Sequence, residues 1–182
     1  MPTPASAATA QTEPHPVPSD HAKLLVLVSD ANAARVSGDA TALYAAARTL
    51  DTLGAVPHET TRDFALNWTR EALTMDPSVE QPPLRGRVRG PSYREERLAP
   101  GATLDLSTVF YAAEAAKITL DPSGAGPLAW SVGLAKGDAP VCAGRISGAA
   151  EACVFVPVFT ESYRIRIENT SDAPVTTLLI TN

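Results

Sequence analysis

The sequence predicts a segregated α+β protein: a short N-terminal bundle of about three helices, then an antiparallel, jelly-roll-like β-sandwich of seven to eight strands. Three observations point there. Between residues 20 and 76 apolar side chains recur at helical spacing, and each stretch is bounded by capping or breaking residues. From residue 98 onward the spacing changes to short alternating runs separated by turn residues. Between them lies a segment dense in Pro, Gly and Arg, which excludes a regular element. The organisation read from these signals is a disordered tail over 1–19, a helical segment over 20–76, a linker over 77–97 and a sandwich domain over 98–182.

A chain of 182 residues that is 45% hydrophobic can bury a substantial core. Its net charge of -5 is unevenly spread. Residues 21–80 and 101–182 each carry five basic and eight acidic side chains, whereas 81–100 hold five arginines against two glutamates. Two mildly acidic bodies are thus joined by a basic connector. The longest apolar run, Leu24 to Val28, is far short of the ~20 residues a membrane helix needs. The first residues lack the charged start and apolar stretch of a signal peptide. Ala5-Ser6-Ala7 and Ala8-Thr9-Ala10 are compatible with the neighbourhood of a cleavage site, and equally with a plain tail. Five prolines in residues 1–19, with almost no large apolar side chain, leave nothing to offset the entropy of ordering.

In the helical segment, Ser19 or Asp20 is positioned to cap the first helix, which offers Leu24, Leu25, Val28 and Val36 before Gly38 ends it. Asp39 caps the second, with Leu43, Tyr44, Ala47 and Leu50 on one face and Gly54 at its end. Thr60 or Thr61 opens the third, where Phe64, Ala65, Trp68 and Ala72 form the stripe and Asp76-Pro77 stops it. So small a unit must be covered by the sandwich, a partner or its own copies. Tyr44 and Trp68 are read first as core, and otherwise as apolar anchors for a partner.

Further along, Leu104 and Leu106 alternate with polar neighbours, as do Ala116 to Leu120 and Leu128 to Leu134. Val154 to Phe159 reads as one more continuous strand, with Pro157 marking a bulge or edge. Tyr163, Ile165 and Ile167 point inward between charged residues, and Val175 to Thr181 makes the last strand. Seven or eight such strands at regular spacing mean a sandwich.

The two cysteines, Cys142 and Cys153, both fall in the strand-rich half. If they pair within one antiparallel hairpin, its midpoint is Ser147-Gly148, where glycine can take a positive φ. Two buried thiols are the alternative. A disulfide implies an oxidising compartment, periplasmic or extracellular.

Three further stretches carry a family likeness. Arg97-Leu98-Ala99-Pro100-Gly101, the Trp130-Ser131-Val132 strand leading to Cys142, and Phe159 to Ile165 resemble the bacterial pre-peptidase C-terminal domain over residues 94–182. In that family a strand of the form T-G-x-Y-x-I/V-x-V precedes a turn and a final Y-x-L strand. The resemblance implies a small secreted β-sandwich of the kind appended to extracellular hydrolases, binding or stabilising rather than catalysing. Glu161-Ser162 stands where the family usually has Gly, and the family's acidic D-x-D-L-Y strand is here Pro127-Leu128-Ala129-Trp130-Ser131, so no calcium role is implied.

Chemistry-bearing motifs are sparse. His15, His21 and His58 all precede the sandwich, and no G-x-S-x-G elbow accompanies them. The sequence has no H-E-x-x-H, C-x-x-C or EF-hand pattern. Ser123-Gly124-Ala125-Gly126 leads into Pro127 and a strand, not into a phosphate-binding helix. Hence the expectation is a non-enzymatic extracytoplasmic interaction or structural module, with no cofactor or metal, whose partner is a protein or a glycan. Self-association through the helical segment is a further expectation. Arg85, Arg87, Arg89 and Arg94 either tie the two acidic bodies together or grip a polyanion. With Tyr93 the sole stacking aromatic nearby, nucleic acid is the weaker of these readings. A third reading is an accessory subunit of a secreted hydrolase.

Overall fold

The computed structural model describes residues 15–59, 61–79, 90–123 and 126–182. Three helices, α1 (Ser19–Ser37), α2 (Ala40–Thr52) and α3 (Phe64–Met75), precede eight strands of a sandwich: β2 (Ser92–Leu98), β3 (Thr103–Phe110), β4 (Ala116–Ser123), β5 (Leu128–Leu134), β6 (Pro140–Ile146), β7 (Glu151–Phe155), β8 (Glu161–Asn169) and β9 (Val175–Thr181). A two-residue strand, β1 (Val56–Pro57), lies parallel to the start of β2. One sheet runs β1-β2-β9-β4-β7 and the other β3-β8-β5-β6. Apart from β1, every pairing is antiparallel and the order is that of a jelly roll.

The helices lie on the outer face of the five-stranded sheet, which makes three layers. Their apolar faces share one core with Tyr93, Leu178 and Ile180, which project outward from β2 and β9. Ile118, Leu120 and Leu179 of the same sheet belong to a second core, facing Val132, Ile165 and Ile167 across the sandwich. The sandwich itself therefore covers the helical stripe.

Local chemistry accounts for the helix ends. Asp39 caps α2 by accepting from the Ala42 N–H at 2.9 Å. Gly38, at φ 71°, ends α1 in the left-handed conformation that a side chain would resist. Two expectations about the starts are corrected. The helix α3 is capped by Asp63, which accepts from the Leu66 N–H at 3.0 Å, not by Thr60 or Thr61. Pro18 precedes α1 without any side-chain cap. The stripe on α1 is also rotated from the one read above: His21, Leu24, Leu27, Ala31 and Ala34 are buried, while Val36 is 91% exposed.

Ser92–Leu98, all but its last residue in the stretch read as linker, is strand β2, pairing residue for residue with β9 from Ser92↔Thr181 to Leu98↔Val175. Its charges do not prevent this, because Arg94 and Glu96 lie on one side of the strand and pair with each other at 2.8 Å. Gly90 joins β2 to the helices: its N–H donates to the Gly54 carbonyl at 3.1 Å, and a Cβ there would overlap the Leu53 carbonyl oxygen. Of the expected tail, residues 1–14 lie outside the described residues. His15 makes an isolated antiparallel bridge with Ala152 at the edge of β7, and Ser19 already belongs to α1. No helix among the described residues is long and apolar enough to cross a membrane.

Candidate functional site: the apolar end of the sandwich

Cys142 and Cys153 form a disulfide with Cα atoms 6.1 Å apart. The bond was expected; its setting differs from the expected hairpin. Cys142 lies on β6, which pairs only with β5, and Cys153 on β7, which pairs with β4. The bridge thus joins the edge strands of opposite sheets and closes one side of the sandwich.

The sandwich has two unlike ends. At one, the turns 99–102, 147–150 and 170–174 expose no large apolar side chain among the described residues. At the other lie the connections 111–115, 135–139 and 156–160, and there Tyr111 is 53%, Val156 60%, Val158 79% and Phe159 69% exposed. Val109, Leu134 and Val141, on strands that end or begin there, are exposed as well. Val154 to Phe159 is therefore not one strand. Pairing stops at Phe155, because Pro157 has no N–H to donate and its ring is buried instead. Residues 156–160 leave the sheet with Val156, Val158 and Phe159 in solvent.

These loops are held in place. The Ala113 N–H donates to the Pro157 carbonyl at 3.1 Å, and the Ala112 N–H to the Thr160 hydroxyl at 3.0 Å. Asn182 fastens the first loop from below, accepting from the Lys117 N–H at 2.8 Å and donating to the Ala115 carbonyl at 2.7 Å. Beneath them Phe110, Phe155 and Tyr163 pack edge to face or tilted, with centroids 4.9–5.8 Å apart. A pinned loop that shows several large apolar groups to water differs from the scattered single ones normal on any surface.

Two depressions flank this end. A cleft of about 610 Å³ runs between the helical layer and the sandwich, lined by Asp20, Leu53, Pro91, Tyr111 and Glu114 among others. A smaller groove of about 380 Å³ is lined by Leu134, Ala135, Lys136, Glu161 and Ser162. The exposed charges on the three connections and the adjoining start of β8 are Glu114, Asp138 and Glu161 against Lys136.

Above the cleft, the start of α1 is tied to β4. The Lys117 ammonium donates to the Asp20 carboxylate at 3.2 Å. His21 Nδ1 and the Thr119 hydroxyl share a hydrogen bond at 2.8 Å, and His21 Nε2 is buried without a partner. Burial, with a smaller push from Lys117, lowers the His21 pKa to about 4 against the opposing pull of Asp20. Burial works to raise the Asp20 carboxyl, but the Lys117 hydrogen bond and the neighbouring positive charge outweigh it and hold it below its ordinary value.

Of the side chains singled out from the sequence, Tyr44 and Trp68 are 7% and 2% exposed and belong to the helical core, the first of the two readings given them, and not to an exposed anchor surface. Trp68 stacks on Phe64 at 5.1 Å, and Phe64 on Tyr93 at 4.6 Å. The Arg94 guanidinium is engaged by Glu96 on its own strand. Arg85, Arg87 and Arg89 lie outside the described residues. What sequence reasoning missed was the exposed end and His21. A proline inside an apolar run was the signal for the first, and the His21–Leu24–Leu27 spacing for the second. Among the described residues, no group of three or more His, Cys, Asp and Glu side chains is arranged to hold a metal ion.

No protein-family model and no curated protein matches the chain. Among solved structures, the pre-peptidase C-terminal domain of a collagenase from Bacillus anthracis is similar, with a TM-score of 0.44 and 15% identity over 50% of this chain and 87% of that one. A periplasmic inhibitor of g-type lysozyme from Aeromonas hydrophila gives a TM-score of 0.35 at 16% identity, over 50% of this chain and 86% of that one. The capsular polysaccharide assembling protein CapF from Staphylococcus aureus gives 0.36 at 17% identity, over 88% of this chain and 43% of that one. At these scores the likeness is one of β-rich shape alone.

Proposed function

We propose that this protein is a non-enzymatic extracytoplasmic interaction module, and that the apolar end of its sandwich is where it meets another protein. One observation carries the reading: Tyr111, Val156, Val158 and Phe159 are exposed together on two loops that hydrogen-bond to each other. An apolar patch kept in solvent by a rigid frame is the feature of soluble proteins most often tied to association. The disulfide supports the compartment, since such bonds persist where thiols are not kept reduced.

A photo-cross-linking residue placed at position 158, and in a parallel variant at position 149 of the opposite end, tests the surface in cells. The expected result is one protein adduct from position 158 that disappears in a Phe159→Asp background, and none from position 149. Equal patterns from the two ends would overturn the assignment. Mass spectrometry of protein purified without reductant from its native compartment tests the location. The chain should be lighter by its two thiol hydrogens, and free thiols there would remove the extracytoplasmic reading.

A further inference from the structure

We infer that the partner seated on the apolar end is a cationic one: a protein segment with apolar side chains flanked by lysine or arginine. This rests on the preceding reading of that end as a contact surface and adds the chemistry of what covers it. The apolar centre is formed by Tyr111, Val156, Val158 and Phe159, each more than half exposed. Its rim is acidic. Glu114 stands in the loop that carries Tyr111, Glu161 begins β8 directly after Phe159 and Thr160, and Asp138 lies in the third connection, with Lys136 the one opposing charge among them. The two depressions that would seat flanking side chains each hold a carboxylate: Glu114, with the Lys117-bound Asp20, in the larger, and Glu161, beside Lys136, in the smaller. Lys117 does not offset them, because it is engaged by Asp20.

This charge pattern decides between occupants. A second copy docking end to end would bring this net-negative rim against an identical one as the centre lost water, and like charges meeting in a desolvating interface oppose association. An anionic lipid surface is repelled for the same reason. A segment with an apolar core and basic flanks satisfies centre and rim together, and the acidic rim would speed its encounter.

The test uses the full chain and two labelled synthetic peptides, one with leucine and valine flanked by lysines and one with glutamate at each lysine position, read by fluorescence anisotropy at low salt. The lysine peptide should bind and the glutamate peptide should not. Binding should weaken by roughly tenfold or more in Glu114→Lys/Glu161→Lys, and again when salt is raised to about 0.5 M. Phe159→Asp should abolish it, with all variants melting like the parent. Equal behaviour of the two peptides, including binding by neither, would overturn the cationic assignment. So would reversible dimerisation in sedimentation that Phe159→Asp removes, since the occupant would then be a second copy. Flotation of the protein with phosphatidylglycerol vesicles would reassign the end to a membrane. If the adduct at position 158 forms while the peptides are not discriminated, the contact surface stands and only its chemistry falls; if the adduct is absent as well, both fall.

Discussion

On the inner face of the five-stranded sheet, Ile118, Leu120 and Leu179 meet the apolar residues of β5 and β8; on its outer face, Tyr93, Leu178 and Ile180 meet the helices. Both faces are buried, yet they are held differently. The inner core is clamped by a covalent bond between edge strands and has three aromatic rings at one end. The outer core relies on packing, on the clamp of Arg35 Nε between both Glu71 oxygens at 2.9 Å, and on buried polar contacts, His21 with Thr119 and the Phe64 N–H donating to the Tyr93 hydroxyl at 2.8 Å. The difference teaches that one sheet can carry two layers with separate vulnerabilities. Reduction acts on the sandwich, and acid acts on the seam between sandwich and helices.

The largest expected effect would sharpen this contrast. Trp68→Ala removes one end of the Trp68–Phe64–Tyr93 stack under the helices and should cost about 3–5 kcal/mol, the usual range for emptying a large aromatic site. Urea melts read by far-ultraviolet circular dichroism check this. Loss of helical signal before strand signal would establish that the layers separate. A single transition, shifted as a whole, would break the comparison and make the two cores one cooperative unit.

Acid should act next. His21 is neutral in the folded protein down to pH about 4, whereas in the unfolded chain it takes up a proton near its ordinary 6.5. The stability it supplies is thus complete above pH 6.5 and lost as pH falls towards 4, by about 3 kcal/mol in all. Asp121, whose carboxyl burial pushes up, works in the opposite sense at the lower end of that range. Urea midpoints across pH 7 to pH 4, followed by Trp68 fluorescence in a Trp130→Phe background, measure the slope. His21→Gln keeps a partner for Thr119 but cannot titrate in this range, and should flatten it. An unchanged slope would remove His21 as the acid-sensitive contact.

Opening the disulfide comes third. Cys142→Ala/Cys153→Ala should lower stability by about 2–3 kcal/mol through the entropy returned to the unfolded chain. The loss should fall on the strand signal at every pH, leaving the acid slope of the helical layer as it was. A disulfide variant with an altered acid slope would mean that the two faces communicate. Smallest of all, Val158→Asp alters an exposed loop residue and should move the melting midpoint by no more than about 0.5 kcal/mol. A larger loss would place Val158 in the packing and remove it from the contact surface.

Much of this architecture is legible along the chain. Leu43, Tyr44, Ala47 and Leu50 announce one face of α2, and Asp39 announces its start, because a helix is specified by neighbours within a few residues. Tyr163, Ile165 and Ile167 announce β8 for the same reason at a period of two. The class of fold, the helical and strand-rich halves and the cysteine bridge were therefore set by local pattern and residue type. Partners distant in sequence decided the rest. Ser92–Leu98 reads as a charged linker until β9 supplies seven residues of backbone pairing along its length. Cys142 and Cys153 read as a hairpin pair until β7 chooses β4 rather than β6. His21 looks like an ordinary polar residue at a helix start until Thr119 meets it from 98 residues away. Phe159 looks like a buried strand residue until Pro157 takes its place beneath the loops and the run leaves the sheet. Periodicity records what each element needs to bury; which surface meets that need is set only when strands and helices far apart in sequence compete for the same neighbours.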